Sequence, residues 1–215
     1  MGWAIAGVFA LVACLAGPVM SDVEHPRYAL VERHDDIELR DYPPLVVAET
    51  EVGGERRAAI DGGFRIVADY IFGNNVAAQK VAMTAPVTQQ AIAAIASTAP
   101  PIRQTTDLRW RVRFIMPAGY TLATLPQPNN RAVVLRAIGA RRYAVIRFSG
   151  SADEQSLQRH TAQLRAFLDA RHLQSAEAPT FAFYDPPWTL PFLRRNEVML
   201  ALPEGGPAAG GISRA

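Results

Sequence analysis

The spacing of apolar and polar positions divides this chain into extended and helical segments. From Tyr28 to Val52 the residues favour extended structure, with Ile37, Leu39 and Leu45-Val46-Val47 separated by turn signals at Asp35-Asp36 and Pro43-Pro44. Two or three strands are predicted here. Between Glu55 and Phe72 the period changes: Ile60, Phe64, Val67 and Ile71 step by four, three and four, while Arg57, Asp61, Arg65 and Asp69 recur every four residues on another face. That spacing predicts an amphipathic helix. Gly62 and Gly63 fall inside it, each costing about 1 kcal/mol relative to alanine, which packing must offset or a close backbone approach must require.

After Gly73-Asn74-Asn75 the pattern predicts a strand over Val81 to Val87, then an exposed hairpin loop from Ala91 to Thr106 containing Pro100-Pro101. Leu108 to Met116 alternates, with Trp110, Val112, Phe114 and Met116 on one face and Arg109, Arg111 and Arg113 on the other. Val133 to Ile138 and Tyr143 to Phe148 read as a hairpin. Ser151-Ala152-Asp153-Glu154 has the form of a capping box opening a second helix, which runs to about Leu173 with a stripe of Leu157, Leu164, Phe167 and Leu168. Strands at Thr180 to Tyr184 and Glu197 to Leu202 close the domain. The order predicts an α+β fold: a distorted antiparallel β-barrel from two strand-helix-strand-strand halves, with two main helices packed outside. An apolar groove between helix and sheet is then the natural ligand site.

At 215 residues, 49% hydrophobic and 20% charged, the chain has room for one well-buried domain. A formal net charge of +2 with no run of five or six like charges argues against nucleic acid as a partner. Trp3 to Ala16 is almost wholly apolar but shorter than the roughly 18 to 20 residues that span a bilayer, so it reads as a signal-peptide core. The single cysteine lies there, in Leu11-Val12-Ala13-Cys14, which resembles a bacterial lipobox; lipidation at Cys14 and plain cleavage near Ala16 to Ser21 both remain open. Residues 1–20 are thus expected to be a signal peptide, 21–203 the domain and 204–215 a disordered tail. The expected location is the bacterial periplasm or, through lipidated Cys14, the membranes of the cell envelope. With no cysteine beyond Cys14, disulfides, thiolate ligation and cysteine nucleophiles are excluded from the domain.

The sequence contains no nucleophile elbow, phosphate loop, dinucleotide fingerprint or His-Glu-x-x-His motif, and His25, His34, His160 and His172 are scattered. His160 lies on the apolar face of the second helix, where it can ligate iron or simply hydrogen-bond at the core margin. Arg109, Arg111 and Arg113 can receive anionic groups such as carboxylates, or form a solvated sheet face.

Four segments resemble one family, the SOUL haem-binding proteins: Lys80-Val81-Ala82-Met83-Thr84-Ala85-Pro86-Val87-Thr88, Phe114-Ile115-Met116-Pro117, Arg147-Phe148-Ser149-Gly150, and Tyr184-Asp185-Pro186-Pro187 leading to Arg194-Arg195-Asn196-Glu197-Val198. Their order and spacing fit from about Val23 to Leu202, and Glu38-Leu39-Arg40-Asp41-Tyr42 looks like the family's opening strand. The resemblance implies a distorted barrel that binds haem or a related tetrapyrrole without enzymatic turnover. Some members carry a proposed axial histidine after the opening-strand arginine; this chain has Asp41 there. Where other members place cations near the ring carboxylates, it has Asp61, Asp69 and Leu190. What the resemblance leaves as the ring-contacting surface is Phe64, Val67, Ala68, Ile71, Met83 and Trp188, with Arg194 and Arg195 as the nearest cations. Met83, Tyr42 and Tyr70 are candidate iron ligands, each with a packing role as the alternative. The expected function is therefore non-enzymatic tetrapyrrole binding in an apolar cleft, the alternative being an envelope interaction module that takes a protein segment or lipid.

Overall fold

The structure, a computed structural model, describes residues 23–92, 108–175 and 177–203. Its strands are β1 (Ala29–His34), β2 (Ile37–Tyr42), β3 (Leu45–Gly53), β4 (Val87–Ile92), β5 (Arg109–Ile115), β6 (Val134–Ile138), β7 (Arg141–Phe148), β8 (Thr180–Phe183) and β9 (Asn196–Ala201). Two helices, α1 (Arg56–Ile71) and α2 (Glu154–Asp169), complete it with a short 3-10 turn at Pro191–Leu193. The expected signal segment with Cys14, the tail, and residues 93–106 of the expected hairpin loop lie outside the described residues, while Ala91 and Ile92 of that expected loop belong to β4.

All nine strands form one antiparallel sheet in the order β1-β2-β7-β9-β8-β4-β5-β3-β6. The two expected halves are visible in it: β3-α1-β4-β5 and β7-α2-β8-β9 meet along the β4–β8 pairing, each with its helix over its own strands. The sheet cannot be flat. β2 and β3 stand second and eighth in the order, a separation of about 29 Å at the usual strand spacing. Only Pro43 and Pro44 join them, and that link reaches at most about 10 Å. β6 and β7, ninth and third, are likewise joined by Gly139 and Ala140 alone. The sheet therefore curls until its ends approach, giving an approximate barrel whose ladder does not close.

Alternation along the strands then sorts side chains into two environments. The outer face carries Trp110, Val112, Phe114, Ala144, Ile146, Val198 and Leu200, on which the helices pack in two apolar clusters. The inner face carries Tyr42, Val145, Ala182 and Met199 as a smaller cluster, with charged residues between. On α2, Leu157, Leu164 and Leu168 are buried as expected and Phe167 packs at the margin.

Four sequence expectations change. The buried stripe of α1 is Ala59, Gly63, Val67, Tyr70 and Ile71, so Ile60 and Phe64 sit at its edge. Val81 to Pro86 is not a strand: the Val81 N–H donates to Ile71 and the Ala85 N–H to Glu24, which takes this stretch out of the ladder. β6 and β7 are consecutive but unpaired, because β3 takes β6 while β2 and β9 occupy both edges of β7. The second helix is capped by Asp153, whose carboxylate accepts from the Ser156 N–H at 2.8 Å, and it ends at Asp169.

A close approach does explain one of the two helical glycines. A Cβ on Gly63 would lie 2.5 Å from Val112 Cγ2, whereas one on Gly62 would meet Val52 at an ordinary 3.7 Å. Gly63→Ala should therefore lower stability by about 1–3 kcal/mol through overpacking. Gly62→Ala should leave it unchanged or raise it by up to about 1 kcal/mol. Urea unfolding midpoints of the two variants check this; equal effects would contradict the packing.

Candidate functional site

The inner face is organised around Glu197. Strand β9 is buried on both faces, and the alternation that turns Val198 and Leu200 outward turns Glu197 inward, where it is fully buried. Arg40 of β2 donates to both its oxygens at 3.0 and 3.1 Å. Arg195 donates to Oε1 through two nitrogens at 3.1 and 2.7 Å, and the Tyr184 hydroxyl donates to Oε2 at 2.7 Å. Arg40 also holds Glu38 at 2.6 Å and stacks over Tyr28, while Arg195 stacks over Tyr184.

Burial alone pushes the Glu197 carboxyl up, but the two guanidiniums outweigh it and hold the group below its ordinary range. The Tyr42 hydroxyl is pushed up to about 12, chiefly by burial. Burial and the Glu197 charge push Tyr184 up as well. Carboxylate, guanidiniums and phenols thus keep fixed protonation states around neutrality. The network works as a structural plug for the barrel rather than as an acid–base pair.

The residues expected to contact a ring fall into three environments. Val67, Ala68 and Ile71 are buried where α1 lies flush on β3 and β5, so the expected groove between helix and sheet is filled there by side chains. Met83 packs half-buried against the same cluster, and Phe64 remains partly exposed against Phe114. Trp188 is 76% exposed on the β8–β9 loop, together with Leu190 at 56%, Phe192 at 68% and Leu193 at 63%. The sequence reading put only Trp188 of these four on the ring-contacting surface and named Leu190 only as the residue where other members have a cation. The signal that could have found the others is their crowding between Pro186-Pro187 and Arg194 with no acidic residue among them.

The loop backbone is tied down. Arg194 donates to the carbonyls of Thr189 and Pro187 at 2.7 and 2.6 Å, the Arg195 N–H donates to Asp185, and the Gly150 N–H donates to Pro191. Both expected cations are therefore committed, Arg194 to its own loop and Arg195 to Glu197. Two surface depressions among the described residues involve no expected ring contact. One, about 460 Å³, lies beside the end of α2 and is lined by Arg165, Asp169 and Glu177. The other, about 150 Å³, lies under Glu24 to Arg27.

The exposed loop residues fit a flat apolar ring lying on a surface, while the side chains considered as iron ligands are engaged elsewhere: Met83 packs against the α1 cluster. Asp41 is locked to Arg142 by two bonds of 2.6 and 2.7 Å. Tyr42 is buried in the barrel, and the buried Tyr70 hydroxyl donates to Pro126 at 3.0 Å. His160 stacks on Phe148 with Nδ1 2.7 Å from the Ser156 carbonyl, the core-margin role. Among the described residues, no cluster of three or more His, Cys, Asp or Glu side chains suits a metal.

The depressed Glu197 carboxyl sets a pH dependence. Its stabilisation is present above the ordinary glutamate value of about 4.3 and is lost as pH falls through the lower folded value. Wild-type stability should fall across that window. Glu197→Gln should be about 3 kcal/mol or more less stable at pH 7, with a shallower acid slope, because Arg40 and Arg195 lose their shared anion. Urea titrations at stepped pH measure both; unchanged slope and stability would contradict the network.

Among the solved structures that share the fold are three with TM-scores above 0.5. The EcmrR C-terminal domain matches with a TM-score of 0.57 and 10% identity, covering 82% of this chain and 98% of that one. A hydrolase from Listeria innocua gives 0.54 and 10%, covering 80% and 94%. An uncharacterised conserved protein from the same organism gives 0.52 and 12%, covering 87% and 96%. At such identities the likeness is one of fold alone. No curated protein matches the chain by sequence. The family model for SOUL heme-binding protein matches residues 23–201, most of the chain and the whole barrel, and on that match the chain belongs to the SOUL haem-binding family.

Proposed function

We propose that this protein binds haem or a related tetrapyrrole without enzymatic turnover, holding the macrocycle by its faces against the β8–β9 loop rather than by its iron. The exposure of Trp188, Leu190, Phe192 and Leu193 carries this reading. Large apolar side chains crowded on one pinned loop are a binding surface before they are anything else. Fully covering each recovers about 1.5–3 kcal/mol, and the ordered backbone reduces the cost of fixing the loop on binding. Family membership supplies the ligand class.

The location that goes with this reading is the cell envelope, supported by the apolar run from Trp3 to Ala16 and by the lipobox-like Cys14. A second reading rests on the same loop, since indole and aliphatic side chains beside arginines also suit a lipid surface.

Titration of the protein with haem, followed through the Soret band, and with metal-free protoporphyrin, followed by tryptophan quenching, separates these readings. Saturable one-to-one binding is expected, with affinities for the two ligands within about tenfold because the iron contributes little. Trp188→Ala and Phe192→Ala should each weaken binding about tenfold, equivalent to about 1.4 kcal/mol. Haem binding that the metal-free ring cannot match, or that ignores both variants, would overturn the reading. Sedimentation with phosphatidylcholine vesicles but no saturable porphyrin signal would favour the lipid surface.

A further inference from the structure

The inner face carries a second charged group, separate from the Glu197 network and sharing no residue with the β8–β9 loop. Strand register sets Glu49 and Glu51 of β3 beside Arg109, Arg111 and Arg113 of β5, and β6 brings Arg136 to the other side of Glu49. Four guanidiniums thus face two carboxylates, a surplus of two positive charges. Burial would push Glu49 up, but the arginines hold it below its ordinary range, so its negative charge is already counted in that balance.

The hydrogen-bond account is just as uneven. Each guanidinium has five N–H donors. Among the described residues the four together make four hydrogen bonds: Arg109 and Arg111 to Glu51 at 3.2 and 2.9 Å, and Arg113 and Arg136 to Glu49 at 2.5 and 2.9 Å. Arg113 and Arg136 both approach Glu49 through Nε, which leaves the paired terminal nitrogens of each fork uncommitted. The Arg111 Nε is buried without a hydrogen-bond partner, 3.7 Å from Glu49. A solvated sheet face does not bury its arginines in this way: Arg111 and Arg113 expose only 26% and 19% of their side chains, while Arg109 and Arg136 are more than half exposed and leave the group open to solvent.

We propose that this arginine cluster is a binding site for a small oxyanion of the carboxylate or phosphate class. Such an anion matches the unspent forks bidentately and neutralises the surplus that Glu49 and Glu51 leave. On the facing strand β7, Arg141 is paired with Glu177 at 2.6 Å and so leaves the surplus of the cluster unchanged. The two carboxylates hold the arginines in place without an anion, so the site is assembled before the ligand arrives.

The test is calorimetric titration of the full chain with citrate and, separately, inorganic phosphate, at constant ionic strength set by chloride, with thermal unfolding in parallel. Saturable binding is expected for at least one probe, weakening as chloride rises; which one binds identifies carboxylate or phosphate as the source. Arg111→Gln and Arg136→Gln should each weaken it tenfold or more. Urea midpoints confirm that these variants fold, and exposed Arg136 is the safer of the two. Trp188→Ala should bind the anion unchanged, so failure of the tetrapyrrole reading leaves this result standing. No saturable heat for either probe, or equal heats and thermal shifts in wild type and both arginine variants, overturns the proposal.

Discussion

Two links of two residues each, Pro43-Pro44 and Gly139-Ala140, impose the constraint on which the architecture rests. Each joins strands that stand six places apart in the hydrogen-bonded order, so the sheet has to bend round on itself. Once it bends, the two helices can only pack on the convex side, and the concave side becomes an interior. Much of what the strands turn inward is then shielded from water. Arg40, Glu197 and Glu49 are the residues most affected.

Leaving one such charge unpartnered in a barrel would cost several kcal/mol. The interior meets that cost by cross-strand pairing at both of its charged centres. Glu197 draws partners from β2, from the end of the β8–β9 loop and, through Tyr184, from just beyond β8; Glu49 draws them from β5 and β6. The pairing fixes the interior and leaves the apolar surface available for a large ligand on the outside, at the loop. Arg195 connects the two regions, because its backbone N–H anchors the loop through Asp185 while its side chain completes the Glu197 network.

Much of this could be read from the sequence, and the failures have physical causes. Alternation located β5, turn signals at Asp35-Asp36 and Pro43-Pro44 divided the opening segment into two or three strands where there are three, and apolar spacing with a capping pattern located both helices. The stripe on α1 was displaced because large apolar residues were counted as the buried ones, whereas a glycine sits at the centre of that contact and lets the helix touch Val112. The β6–β7 hairpin was expected because neighbours in sequence usually pair; here the closing of the barrel decided the partners, and that information is not local. The alternation of Glu38 and Arg40 with Ile37 and Leu39, and of Glu197 with Val198, has the period of a half-solvated strand, and only the curled sheet shows that this charged face is buried. At the candidate site, Trp188 was legible and its neighbours were not, since an apolar loop run looks like core until the fold shows it lies outside.

The curled sheet has one further mechanical property. Among the described residues the two halves are tied through the sheet where β4 meets β8, a ladder of four residue pairs that shares with β8–β9 the shortest length in the barrel. On the opposite side, between β2 and β3, no ladder forms, and Pro43-Pro44 has no N–H groups to start one. The molecule is in this sense a bivalve, with a narrow hinge through the sheet and an unstitched lip. Its clasp is on the convex side, where Ala59 and Trp110 of one half pack in the core cluster of the other and Arg56 of α1 donates to Glu154 and the Ala152 carbonyl.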